Sequence, residues 1–357
     1  MARRIKKYRR RRPVTVPAAV TLCLAASLLL FSHTGGETTA RSFFDALARN
    51  GGFIAHAVSL ELGLSPESDE VYAPRTPSNA RSENAADPVS ESTYVPLADP
   101  PDDDTPVLSA ADKAKTLTIN NDTSYTVDVA ECLADPVNIQ ADIQSGEPQV
   151  LIVHTHGSES YKPDAAFPYT PTENERTTDT RFNVVRVGDE LAGVLEAQGI
   201  KTMHVRDIFD TPAYSGSYDR SLAAIQAAIE EYPSIQIVID VHRDSILTDS
   251  GVAYKTACTI GGEQMAQLMF VVGTNDGGLE HDNWRDNLRY VTGLQYDLNQ
   301  TYPGLMRPVN LRTQRFNQHA RVGSMLVEVG SSGNTLSEAL ASIRLFGGVL
   351  ADNLRGV

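Results

Sequence analysis

The sequence predicts an α/β protein with a mostly parallel central sheet and helices on both faces, preceded by a membrane anchor and a disordered tether. Three observations predict it. Short apolar runs such as Val150 to Val153 and Ile235 to Val241 alternate with stretches of helical periodicity, the pattern of a parallel sheet covered by crossover helices. Imidazoles and a carboxylate stand at or near the ends of those runs. Before residue 116 the alternation is missing, and the chain is basic, then apolar, then acidic and rich in Pro and Ser.

The amino-terminal segments follow from composition. Residues 1–13 carry Arg3, Arg4, Lys6, Lys7 and Arg9 to Arg12 and read as a cytoplasmic arm; residues 14–33 are apolar enough to cross hydrocarbon. Positive charge stays inside, so the expected orientation is a single pass with the body outside the cell membrane. A cleaved signal peptide shares the basic start and apolar centre, but no small-x-small cleavage site lies close behind Phe31. Residues 34–64 are expected to hold short amphipathic helices near the bilayer, with Phe43, Phe44, Leu47 and Phe53 on the apolar side. Residues 65–115 contain too little apolar material to offset chain entropy and read as a linker. A flexible chain of that length reaches tens of ångströms, at about 5–6 Å times the square root of its length.

Residues 116–357 form the expected folded domain. Leu117 to Ile119 and Tyr125 to Val129 alternate like strands around the turn residues Asn120 to Asp122. Val150 to Val153 is a buried strand; Asn183 to Gln198 is a helix closed by Gly199; Ile200 to Val205 is the next strand. Helix Arg220 to Tyr232 and strand Ile235 to Val241 follow. Then come strand Met269 to Gly273, helix Trp284 to Tyr302, strand Ser324 to Val329 and helix Leu336 to Leu354. The formal charge of −14 excludes a nucleic-acid binder by charge. Three cysteines, with no Cys-x-x-Cys spacing, support neither a disulfide framework nor a thiolate metal site.

Ligands of open α/β sheets bind beyond the carboxyl ends of the strands. His154 and His156 follow one strand and His242 ends another, while Glu328 sits between Val327 and Val329. Taken singly, each imidazole reads more simply as a hydrogen-bonded core or edge residue. Jointly they suit a hydrolytic zinc site, which takes three imidazole or carboxylate ligands and leaves a position for water. Candidate metal ligands are His154, His156, Glu159 and His242. On a continuing strand His154 and His156 would point the same way; a turn at Gly157 would let one of them face the metal and bring Glu159 near. Glu328 is the candidate general base, because an ionised carboxylate in a buried strand needs a compensating cation or donors.

The strings VLIVHTHGSESY (150–161), NVVRVGDEL (183–191), IDVHRDS (239–245), YPGLMRP (302–308) and LVEVGSSGNTLSEA (326–339) resemble the stage II sporulation protein P family. That family is related to the zinc-dependent N-acetylmuramoyl-L-alanine amidases. The resemblance runs from about Leu117 to Val357. It implies an extracytoplasmic peptidoglycan hydrolase of endospore formation and engulfment, with Zn2+ as cofactor. It further implies peptidoglycan stem peptides as substrate, and a stage II sporulation protein D-like glycan hydrolase and its membrane complex as partners. A second activity on peptide cross-links stays open.

In the wider amidase family a histidine, a glutamate opening the next helix and a second histidine hold zinc, and a strand glutamate is the base. His242 matches the second histidine, and Glu328, with Gly330 and Asn334 behind it, matches the base. The first histidine falls on His154 or His156. Asn183 stands where the helix-opening glutamate is expected, so Glu159, Glu173 or Glu175 would have to replace it. Arg243 is expected to take a carboxylate of the stem peptide through bidentate pairing, or else to pair with Asp240 or Asp244. Tyr218, in a Gly-x-x-Ser-Tyr-x-x-Ser-like stretch, reads more simply as a packed ring. The altered ligand set makes a peptidoglycan-binding scaffold that has lost catalysis the rival reading. A kinase loop on His242-Arg243-Asp244 fails for want of the downstream Asn and a phosphate loop, and Ser158 does not sit in a nucleophile elbow.

Overall fold

The computed structural model describes residues 108–172, 175–248 and 251–357. The basic arm, the apolar segment, the 34–64 helices and most of the linker lie outside them, as does Glu173. Among the described residues no helix is long and apolar enough to cross a membrane.

The order of elements is α1 (Ala110–Ala114), β1 (Ile119–Asn121), α2 (Val129–Ala134), β2 (Val150–Val153), α3 (Val184–Ala197), β3 (Thr202–His204), α4 (Ser217–Glu231), β4 (Ile237–Asp244), β5 (Ala257–Ile260), β6 (Glu263–Ala266), β7 (Leu268–Gly273), α5 (Trp284–Thr301), β8 (Val309–Arg312), β9 (Met325–Ser331) and α6 (Leu336–Arg355). Seven strands form one sheet in the order β1-β8-β7-β9-β4-β2-β3; β5 and β6 make a separate two-stranded ribbon. Every neighbouring pair in the large sheet is parallel except β7 with β9. The sheet is therefore mostly parallel, with one antiparallel joint.

Alternation along the central strands divides the core. Val150 and Ile152 of β2 and Ile237, Ile239 and Val241 of β4 pack with Val187 and Leu191 of α3 and Phe346 and Leu350 of α6. Leu151, Val153 and Val238 face the other way, onto Ile225 and Ala228 of α4. Helices thus cover both faces. The α3–α6 contact is close because Gly347 carries no Cβ: one placed there would meet Val194 Cγ1 at 2.9 Å.

Caps fix the helix starts. The Asn183 side chain accepts from Val185 N at the head of α3. Thr335 and Glu338 form a reciprocal capping box at the head of α6, and Gly356 ends that helix in the left-handed region.

Several expectations shift. Tyr125 to Val129 is not a strand: the Asp128 carboxylate accepts from Ala130 N and Glu131 N, starting α2 instead. Asn120 and Asn121, expected in a turn, lie in β1 beside β8. The end of the segment read as linker holds α1, capped by Ser109. Cys132 and Cys258 are free thiols, the first buried and the second partly so.

Replacing Thr335 by Ala removes the hydroxyl that accepts from Glu338 N. Urea denaturation should show a loss of about 1 kcal/mol.

Candidate metal centre

The site begins where β2 ends. Strand alternation carries His154 to the α3 side, in line with Val150 and Ile152, and sends Thr155 to the α4 side. There Thr155 N and Oγ1 donate to Asp240 Oδ1 and Oδ2 at 2.9 and 2.6 Å. The strand does not continue. A turn closed by Glu159 N on His156 O, at 3.0 Å, brings the His156 ring over to His242. The ring centroids lie 5.1 Å apart, edge to face.

That turn also delivers Glu159. Its Oε1 lies 3.6 Å from His156 Nδ1 and its Oε2 3.4 Å from His242 Nδ1. His156, Glu159 and His242 each place a ligand atom within 4.8 Å of the others, and all three are buried. The Glu159 carbonyl accepts from Val184 N at 2.9 Å, so this carboxylate sits against the head of α3 while Asn183 caps the helix. Of the carboxylates that stood open in place of a helix-opening glutamate, Glu159 faces the imidazoles, and Glu175 pairs with Lys162.

His154 is not in this cluster. Its Nδ1 lies 3.0 Å from Val241 O and its Nε2 2.8 Å from His204 Nε2, on the opposite face of the sheet from His242. Burial is the main cause that pushes its pKa down to about 3.

Glu328 reaches the site through pairing. In the parallel β4–β9 ladder it stands opposite His242, so the two side chains share a face. Between His242 and Asp244 the register shifts by a bulge. Glu328 Oε2 is buried without a hydrogen-bond partner. Burial first, with the charges of Glu159 and Asp244 adding to it and His242 opposing, raises the Glu328 pKa to about 8. For His242, burial acts downward but is outweighed by Asp240 and Glu159, and the ring is held well above its usual range. Glu159 also feels burial most, yet His156, His242 and Arg243 keep it well below the usual carboxylate range.

Arg243 does not present its fork to a ligand. It is buried, with Nε donating to Ser160 O and Nη2 to Glu175 O, both at 2.7 Å. Its backbone N donates to Glu159 Oε2 at 3.1 Å. Through Nε and Nη2 the guanidinium ties the carbonyls of Ser160 and Glu175 to β4. Asn334 is similarly occupied: Oδ1 accepts from Ser331 N and Thr256 N, and Nδ2 donates to Thr256 O and Glu338 Oε2. It closes the turn behind Glu328.

Three residues near the cluster escape a reading of the sequence. Asp240 Oδ1 lies 2.9 Å from His242 Nε2, off the N–H axis of a well-formed bond, and orients the ring from behind; its position two residues before His242 in a strand is the signal that finds it. Arg176 contacts Asp210 at 2.6 Å and Glu159 at 3.4 Å. Tyr214, 58% exposed, stacks on His156 with centroids 4.4 Å apart. Neither lies in a recognisable motif.

The donor set fits a borderline divalent cation such as Zn2+, which takes imidazole and carboxylate ligands. Two buried orphans support the fit, His156 Nε2 and Glu328 Oε2. So does the proton balance, for His242 and Glu328 are both pushed toward their protonated forms, as expected where anionic groups outnumber the cations.

The family model described as Stage II sporulation protein P matches residues 69–351. The chain belongs to that family. Stage II sporulation protein P of Bacillus subtilis (strain 168) is 30% identical over 200 residues, which cover 53% of this chain. The match spans about half, 47%, of that relative's own length. Among solved structures, the CwlD amidase of Clostridioides difficile in complex with the GerS lipoprotein aligns at 12% identity and TM-score 0.34, over 58% of this chain and 97% of that one. The apo N-acetylmuramyl-L-alanine amidase Ami1 of Mycobacterium abscessus aligns at 14% identity and TM-score 0.34, over 59% and 98%.

Two outcomes follow from the charge arrangement. Loading the metal-free protein with Zn2+ at pH 7 should release about two protons, from His242 and Glu328, read by calorimetry in buffers of different ionisation enthalpy. Glu328 has a folded pKa raised from 4.5 to about 8. Its contribution to stability is therefore complete below pH 4.5 and lost as pH rises toward 8. In chelator-treated protein, Glu328→Gln should be more stable than wild type at pH 8, and the difference should shrink toward pH 5. Denaturant titrations at the two pH values check this.

Proposed function

We propose that this chain is a zinc-dependent N-acetylmuramoyl-L-alanine amidase that hydrolyses peptidoglycan during endospore formation. The observation that carries the proposal is a buried His156–Glu159–His242 cluster beside a desolvated glutamate in register with one of the ligands. Family membership supports the setting.

His156, Glu159 and His242 would hold the metal. Bound there, it would supply Lewis acidity toward the scissile amide carbonyl and acidify a water molecule. The protein's own groups do the rest. Glu328 takes the proton of the attacking water on Oε2, the atom left without a partner, and delivers it to the departing amine nitrogen. Proton transfer of this kind works best when the pKa of the base lies near the operating pH; burial brings Glu328 into that range, and a nearby dication draws it back toward the ionised form. Asp240 and Thr155 hold His242 in place. Tyr214 and Arg176 form the rim over His156, through which the stem peptide approaches.

The cellular setting is part of the same proposal. The apolar segment 14–33 anchors the chain with its amino terminus inside, and the linker lets the catalytic body reach the wall mesh. A stage II sporulation protein D-like glycan hydrolase would act on the same strands in a membrane complex.

The test uses the full chain with purified cell walls. Glu328→Gln should retain stoichiometric zinc by elemental analysis yet release stem peptides at least about 100-fold more slowly than wild type. His242→Ala should lose the metal. Peptide release by Glu328→Gln at the wild-type rate would end the general-base assignment. Wall binding by the wild type with no release of peptide would favour the non-catalytic scaffold.

A further inference from the structure

His154 and His204 lie outside the metal cluster, yet they meet beneath it, the first buried and the second partly so. His204 pairs with Ile152 in the β2–β3 ladder, so its side chain shares a face with Ile152 and, two residues on, with His154. The two Nε2 atoms are 2.8 Å apart. The contact forces a glycine on the helix above: a Cβ at Gly188 would come within 2.5 Å of His154 Nε2 and 2.7 Å of His204 Nε2. The next residue, Asp189, sits with Oδ1 3.2 Å from His204 Nδ1 and is itself paired with Arg206.

The protons in this chain follow from its inner end. Val241 O only accepts, so His154 must carry its proton on Nδ1. Its Nε2 is then a lone pair, and His204 must donate to it from its own Nε2. Opposing influences act on His204, since burial pushes its pKa to about 3 while the Asp189 carboxylate favours the charged ring. The donated proton is present in the charged ring and in the neutral Nε2–H tautomer, and is absent from the neutral Nδ1–H tautomer that would turn its proton to Asp189. The chain ends on the carbonyl of Val241, the residue immediately before His242, and passes through His154, two residues before His156.

We propose that His204 is a positioning residue for the metal centre: by donating to His154 it fixes the His154 tautomer that grips Val241 O, and so sets the peptide that carries His242. This rests on the metal-site reading above. The arrangement places a hydrogen-bonded brace on the far face of the sheet, behind the ligands, where it never meets substrate.

Two variants and one spectrum test it. His204→Phe keeps the packed volume and removes the donor. His204→Gln sacrifices ring packing but offers an amide N–H toward His154. Zinc affinity by chelator competition should fall about 10- to 100-fold in His204→Phe and return most of the way in His204→Gln. The visible spectrum of the Co2+-loaded protein should change in the first and resemble wild type in the second. A packing role gives the opposite order. Wild-type zinc affinity and cobalt spectrum in His204→Phe would overturn this inference alone, whereas failure of the wild type to bind zinc would overturn it together with the proposed function. If circular dichroism shows either variant unfolded, ring nitrogen NMR of the wild type decides: His154 protonated on Nδ1, with coupling across the His204–His154 bond, supports the brace, and His154 protonated on Nε2 overturns it.

Discussion

The register of β4 against β9 is the constraint on which the site depends. With His242 opposite Glu328, the proposed ligand and the proposed base share one face of the sheet; a slip of one residue would send Glu328 to the apolar side occupied by Val327 and Val329. The register is secured by burial on both faces, for Val241 and Val327 pack under α3 and α6 while Leu326 meets Met269 and Val271. A slip would therefore exchange apolar and ionisable groups across the whole strand. The bulge after His242 then frees Arg243 to leave the ladder and pin the 159–175 loop.

Locality explains which parts of this arrangement are legible in the sequence. Strands β2 and β7 are apolar runs, β4 and β9 are apolar runs broken by Asp240 and Glu328, and α3, α5 and α6 repeat at helical spacing, so their presence is written in adjacent residues. The ribbon of β5 and β6 is half exposed and polar, with Glu263 and Gln264 in its second strand, and β8 has only Val309 and Leu311 buried; neither has a pattern strong enough to stand out. The antiparallel joint between β7 and β9 is a property of topology, which no local pattern encodes.

The same contrast runs through the site. His156, His242, Glu159 and Glu328 attract notice as polar residues in apolar surroundings. The choice between His154 and His156 depends on whether the chain turns after Thr155, and that turn is held by contacts distant in sequence, with Ser158 bonded to Asp210 and Glu159 to Val184. Arg243 shows the converse. An arginine beside a candidate ligand histidine suggests substrate recognition, but its Nε and Nη2 donate to carbonyls 83 and 68 residues away.

Charge gives the arrangement its chemical meaning. Glu159, Asp240, Asp210 and Glu328 converge with Arg176, Arg243 and His242, all buried except Glu328 and Arg176, which are partly so. Burying so many carboxylates is costly unless positive charge accompanies them. The described residues meet this need unevenly: Glu159 and Asp240 are held ionised, whereas Glu328 retains its proton and His242 gains one. Two retained protons carry the charge of one dication. A hydrophobic core has no use for such a deficit, and the proposed hydrolytic centre would have one, because a cation bound there would also free the base beside it. The fold accordingly spends stability on holding anionic groups together, and the capping box of α6, the Asn334 turn and the Arg243 tie are the devices that keep them there.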